Sequence, residues 1–158
     1  MNEQAVNEAL SVAVPLCKLF EGFSSKPYIC PAGYPTIGYG TVYKPDGTTV
    51  TMEHPAVSQQ TAETWLLTEL KNKYMLGVMI ASPVLLQYPQ ALGAIADFAY
   101  NLGVARYRSS TLKRRIDAQQ WEQARSELNK WVFGGGRKLP GLVRRRLAEA
   151  QYLPKGTA

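Results

Sequence analysis

A stretch rich in aromatic, β-branched, glycine and proline residues interrupts a chain that otherwise reads as helix, and this interruption constrains the fold most. Between residues 28 and 51, Tyr28, Ile29, Tyr34, Thr36, Ile37, Tyr39, Val42 and Tyr43 alternate with Gly and Pro. Pro45-Asp46-Gly47 is a turn signal between two short runs, since proline presets φ and glycine accepts a positive one. The pattern predicts a small antiparallel sheet of few strands in a β subdomain at about residues 23–55. In front of it, residues 2–20 place Val6, Leu10, Val14 and Cys17 close to helical spacing, with Gly22 as a stop. Pro15 either kinks this segment or splits it.

Beyond His54-Pro55 the chain turns helical and stays so, giving a helical lobe at about residues 58–153. Ser58 caps a long helix carrying Trp65, Leu66, Leu70, Tyr74 and Val78, which Pro83 ends. A second helix follows Pro89, bears Leu92, Ile95, Ala96, Ala99 and Leu102, and stops at Gly103. Ser109 or Ser110 caps a short helix with Leu112 and Ile116, and another runs over residues 120–130 around Trp121, Ala124 and Leu128. Gly134-Gly135-Gly136 reads as a flexible loop before a last helix with Leu142, Val143 and Leu147. The expected fold is α+β: one domain over residues 1–158, mostly helical, with a small antiparallel β subdomain near the N-terminus and a cleft between lobes. Such a cleft suits an extended ligand.

With 158 residues the chain is long enough to bury a core, and 46% hydrophobic against 19% charged residues is ordinary for a globular protein. A net charge of +6 favours a polyanionic partner such as nucleic acid, anionic lipid or an anionic wall polymer. No run approaches the roughly 18 apolar residues of a membrane span, so stable membrane insertion is not expected. The short apolar stretch at residues 9–17 follows Glu3 and Glu8 and contains Pro15, which argues against a secretory signal. Cys17 and Cys30 make no disulfide framework, and a single histidine, His54, with two separated cysteines offers no metal-site spacing. No cofactor and no metal are expected.

Glu21 carries the chemical signal. It ends the first helix directly before Gly22, where unpaired carbonyls and the negative end of the helix dipole disfavour an ionised carboxyl group. A proton-holding carboxyl group is what cleavage of a glycosidic bond requires as its acid. Glu21-Gly22, then Tyr28, Cys30-Pro31-Ala32-Gly33 and Thr36-Ile37-Gly38-Tyr39-Gly40 resemble the active-site region of the phage-type lysozymes. Phe98-Ala99-Tyr100-Asn101-Leu102-Gly103, Ser110-Thr111-Leu112 and Gly141-Leu142-Val143-Arg144-Arg145-Arg146 with Glu149 resemble further blocks of that family in the same order. The resemblance implies a lysozyme-like fold and hydrolysis of peptidoglycan glycan strands.

Position by position, the resemblance makes Glu21 the general acid and Thr36 the residue that helps hold the attacking water. Cys30 stands where the best-known relatives carry an aspartate, the second catalytic carboxylate. No other acid lies between Glu21 and Asp46, and Asp46 reads as a turn former. As a thiolate, Cys30 could attack the anomeric carbon, stabilise positive charge there, or take a proton from water; its alternative is a small packing residue. Cys17 reads as packing. Thr41 replaces a histidine common among relatives, which implies loss of a structural ion pair. Asn101 offers donors and an acceptor to a sugar, and Tyr100 and Tyr34 offer apolar platforms for sugar rings. Consecutive Arg144, Arg145 and Arg146 point about 100° apart on a helix; the resemblance brings one of them to Glu21, and as an alternative Arg145 and Glu149, four apart, could pair on the solvent face.

The expected activity is that of an endolysin cleaving the β-1,4 bond between N-acetylmuramic acid and N-acetylglucosamine, releasing phage progeny by lysis. A lytic transglycosylase giving 1,6-anhydro products and a noncatalytic binder of peptidoglycan or nucleic acid are the alternatives, although no nucleic-acid motif is present. A monomer is expected. It accumulates in the host cytoplasm and reaches periplasmic peptidoglycan after a membrane-permeabilising protein, a holin, opens the way.

Overall fold

The computed structural model describes residues 2–155. Helix α1 (Glu3–Glu21) starts at Asn2, whose side chain accepts from the Ala5 N–H, and stops at Gly22, whose N–H donates to Lys18 O. Pro15 lies inside it and does not split it. Ala9, Val12 and Ala13 before the proline and Leu16 and Cys17 after it are all buried on the same body, so tertiary packing outweighs one lost backbone hydrogen bond.

Strands β1 (Ser24–Ile29) and β2 (Pro35–Gly38) form an antiparallel pair in which Tyr28 faces Thr36 and Ile29 faces Pro35. Beyond them the sheet thins to single bridges, Ile37 with Thr41 and Tyr43 with Thr49. Asp46 closes the expected turn by accepting from the Thr48 N–H at 2.9 Å and the Thr48 hydroxyl at 2.6 Å.

Helix α2 (Gln59–Glu69) is capped by Ser58, which accepts from the Thr61 N–H at 3.0 Å. It runs through a π-helical turn (Leu70–Met75) into α3 (Leu76–Ala81), an irregularity invisible in the apolar spacing of Leu66, Leu70 and Tyr74. A 3₁₀ turn (Pro83–Gln87) leads to α4 (Pro89–Leu102), the central helix, buried from Ala91 to Ala99. Its crossing of α1 depends on Gly93, where an added Cβ would come within 2.3 Å of Ala9 O and 2.8 Å of Val12 Cβ.

Around this crossing lie α5 (Val104–Arg108), which the sequence reading passes over, then α6 (Thr111–Asp117), capped by Ser110, and α7 (Trp121–Leu128). The glycine triplet is not a loose loop. It turns a short hairpin, β3 (Phe133–Gly134) with β4 (Arg137–Lys138), because Gly135 at φ 58° and Gly136 at φ 77° adopt the left-handed conformations of a two-residue hairpin turn. Helix α8 (Pro140–Ala150) closes the body against α1 and α4. Among the described residues no helix is long and apolar enough to cross a membrane.

Candidate active site

Glu21 is the last residue of α1, and the rest of the molecule is built to hold its carboxylate in place. Arg145 on α8 donates from Nη1 to Glu21 Oε2 at 2.7 Å. That arginine, only 4% exposed, is fixed by Asp97 on α4 through Nε to Oδ2 at 2.9 Å and Nη2 to Oδ1 at 2.7 Å. Two parallel bonds to one carboxylate set the guanidinium plane and therefore the direction of its third bond, to Glu21. Helix end and arginine act on Glu21 in opposite senses: the helix carbonyls oppose negative charge and the guanidinium attracts it.

Room for the carboxylate comes from Gly40. A Cβ there would lie 2.9 Å from Glu21 Oε1 and 3.3 Å from the Tyr100 hydroxyl, and its φ of +84° suits only glycine without strain. The Gly-Tyr-Gly turn is thus a clearance around the acid.

Beneath Glu21 the ionic groups are buried rather than solvated. Arg145 and Glu149 do not pair on the solvent face; both lie on the inward face of α8, with Arg145 Nε 4.0 Å from Glu149 Oε2. Glu149 is nearer Arg146, at 3.2 Å from its Nε, and Arg144 alone of the three points outward. Burial pushes the Glu149 carboxyl well above its ordinary range, with the hydrogen bond to Asp97 acting in the same direction. Burial works against Asp97 too, but hydrogen bonds from Glu149 and Arg145 hold it below the usual carboxylate range. Cys17 is buried as expected, yet it also donates from Sγ to Asp97 Oδ1 at 3.1 Å. Burial and the Asp97 charge push that thiol up, so it keeps its proton.

A cleft of about 380 Å³ opens over Glu21. Of the residues expected at the site, it is lined by Glu21, Tyr34, Tyr100 and Asn101. The Asn101 carbonyl oxygen accepts from Arg146 Nη2, which leaves the amide NH₂ as the end able to meet a ligand. Tyr100 is anchored by donating its hydroxyl proton to Tyr39 O at 2.6 Å. Tyr34 is 57% exposed, a platform rather than a core ring.

Cys30 and Thr36 do not line that cleft; they lie on the hairpin beside it. The Cys30 N–H donates to Tyr34 O at 3.0 Å, continuing the register that pairs Tyr28 with Thr36. With side chains alternating along each strand, Tyr28, Cys30, Tyr34 and Thr36 share one face. Thr36 is 2% exposed and donates its hydroxyl proton to Tyr34 O at 2.9 Å. The Cys30 thiol is held below its ordinary value, chiefly by the neighbouring Thr36 hydroxyl, with the backbone around Tyr34, Ala32 and Gly33 adding to it.

Sequence reasoning missed Asp97 and the cleft residues Tyr43, Glu69, Lys73 and Tyr74. Asp97 had a signal, since it is the lone acid in the apolar run from Ala91 to Ala99. Glu69 and Lys73 had none, because charges on a helix ordinarily read as its solvated face. Thr41 is fully buried, and its hydroxyl has no hydrogen-bond partner. Among the described residues no group of three or more His, Cys, Asp and Glu side chains is placed to hold a metal ion.

A small sheet and a helical body flank a groove with an arginine-clamped glutamate at a helix end, an architecture of the lysozyme-like class. The family model for phage lysozyme matches residues 18–149, and the chain belongs to that family. It is 35% identical over 140 residues to the endolysin of Bacillus phage B103, covering 86% of this chain and 50% of that protein. The chain thus spans half the length of that relative. With the endolysin of Acyrthosiphon pisum secondary endosymbiont phage 1 it shares 31% identity over 139 residues, 85% of this chain and 89% of that one. The solved endolysin from Escherichia coli O157:H7 phage FAHEc1 superposes with a TM-score of 0.78 at 29% identity, over 98% of this chain and 99% of the other.

Proposed function

We propose that this chain is an endolysin that hydrolyses the β-1,4 bond between N-acetylmuramic acid and N-acetylglucosamine in bacterial peptidoglycan, and so releases phage progeny by lysis. The observation that carries the reading is the clamped carboxyl group of Glu21 facing an aromatic-walled groove. Glu21 hands its proton to the oxygen linking the two sugars as that bond breaks, leaving positive charge on the anomeric carbon. Water, positioned with help from Thr36, adds to that carbon and releases a proton. Cys30 supplies the second function, as a thiolate that steadies the cation, bonds to it transiently, or takes the water's proton. Its lowered thiol pKa supports this role. Asn101, Tyr100 and Tyr34 hold the glycan. The protein acts as a monomer, waits in the host cytoplasm, and depends on a holin to reach the wall.

Turbidity clearing of chloroform-treated Gram-negative cells tests the assignment. Glu21→Gln is expected to abolish clearing; clearing equal to the unsubstituted protein refutes the role of Glu21. The lack of any other acid between Glu21 and Asp46 also suits a transglycosylase, in which a substrate hydroxyl replaces water. Mass spectrometry of the released muropeptides separates the two, and products lacking one water would overturn the hydrolase reading.

A further inference from the structure

Glu69 has no part in the chemistry above, yet it is the second carboxyl group of the cleft. It ends α2 where the helix widens into the π-helical turn. Lys73, four residues on, makes no ion pair with Glu69; its ammonium lies 5.7 Å from the Tyr43 ring centre and 5.1 Å from that of Tyr74. Glu69 Oε2 is buried without any hydrogen-bond partner, which leaves the other oxygen on the cleft side. A buried carboxylate oxygen with no donor is costly, and the same oxygen as the carbonyl of a neutral acid is much less so.

Its neighbours do not replace that proton. Glu21 and Cys17 face the region from α1, Tyr100 from α4, Tyr34 and Tyr43 from the β subdomain, and Lys73 and Tyr74 from its own helix. Burial pushes Glu69 up to about 7, against the pull of Lys73. Tyr74, up to about 12, Tyr100 and Cys17 are raised as well and keep their protons at neutral pH.

We propose that Glu69 is a further sugar-contacting residue of this cleft, gripping the glycan as an uncharged carboxylic acid that donates a hydrogen bond to an acetamido carbonyl oxygen. The inference rests on the reading of the cleft as a glycan site. An acetamido carbonyl only accepts, so a neutral acid suits it and a carboxylate repels it. Sugar hydroxyls both donate and accept, and would serve either form. The residue therefore selects N-acetylated chains, and does so best on the acid side of its titration.

Calorimetric binding of soluble N-acetylglucosamine–N-acetylmuramic acid oligosaccharides tests this in a Glu21→Gln background, where the ligand survives. Affinity is expected to fall about tenfold between about pH 6 and pH 8, as one donor is lost. Adding Glu69→Gln, which stays uncharged and keeps a donor, should flatten the profile at the tighter level, and Glu69→Leu should flatten it at the weaker level. Coincident profiles with and without Glu69→Gln overturn the proposal. So does a pH dependence abolished by His54→Gln, since His54 stands against Trp65, 5.9 Å between ring centres, outside the cleft lining. An equal pH dependence with a β-1,4-glucose oligosaccharide, which has no acetamido groups, overturns the choice of acceptor. Clearing by Glu21→Gln equal to that of the unsubstituted protein would instead refute the role of Glu21 on which the reading of the cleft rests. Loss of clearing with unchanged Glu69 profiles would refute only the role of Glu69.

Discussion

In the reaction proposed above, giving the second catalytic function to a thiol rather than a carboxylate would change what pH does to the rate. Cys30 is held below the ordinary thiol value chiefly by the Thr36 hydroxyl, so its anion is available nearer neutrality than that of an ordinary cysteine, but it still has to form. Protons leave as pH rises, so kcat should climb with pH through a limb that lies below an ordinary cysteine titration. Cys30→Asp, ionised throughout that range, should remove the limb and keep substantial activity, whereas Cys30→Ser should lose about 10²-fold or more in kcat. Steady-state rates against pH check both, and full activity in Cys30→Ser would reduce the residue to packing. The roles expected of Glu21 and Cys30 could be put forward from sequence because each lies in a short local motif. The partner of Glu21 could not be chosen the same way. Arg144, Arg145 and Arg146 are chemically alike, and only the seating of α8 against α1 and α4 decides which one turns inward. A basic run normally means a solvated face; here two of its members neutralise buried acids.

Among the elements, the crossing of α1 and α4 is the tightest joint. In an isolated helix Gly93→Ala would be favourable by about 1 kcal/mol. A methyl group 2.3 Å from Ala9 O cannot be absorbed by a side-chain rotation, since the obstacle is backbone. Overpacking should win, with a net loss of about 2–3 kcal/mol, read as a lower denaturant midpoint at unchanged slope. Helix limits marked by Ser58, Pro83, Pro89, Gly103 and Ser110 were legible because capping and proline chemistry are local. The π-helical turn was not, because Leu70 and Tyr74 keep an ordinary four-residue spacing through it. Gly134-Gly135-Gly136 was misread for a related reason: composition shows that glycine permits many conformations, and only the pairing of Phe133 with Lys138 selects one.

For the molecule as a whole, the excess of +6 resides mostly at the surface, since Arg145 and Arg146 are balanced inside by Asp97, Glu149 and Glu21. Attraction to an anionic wall is therefore a long-range, screenable effect. Raising salt from about 50 to 300 mM should slow clearing of whole sacculi several-fold and alter turnover of a short soluble glycan far less; equal slowing of both would show that surface charge plays no such part. The order of lobes was legible because β-rich and helical stretches occupy separate parts of the chain. The cleft wall was not, since Tyr43 and Glu69 meet only after the lobes close on each other.

The anchoring of Glu21 reaches further than its own geometry. Arg145 and Asp97 bolt that acid to the helical body, while Cys30 and Thr36 travel with the hairpin. In the proposed reaction, proton delivery would therefore belong to the helical body and the handling of water to the hairpin, so the seating of that hairpin on the body sets the distance across which the two must cooperate.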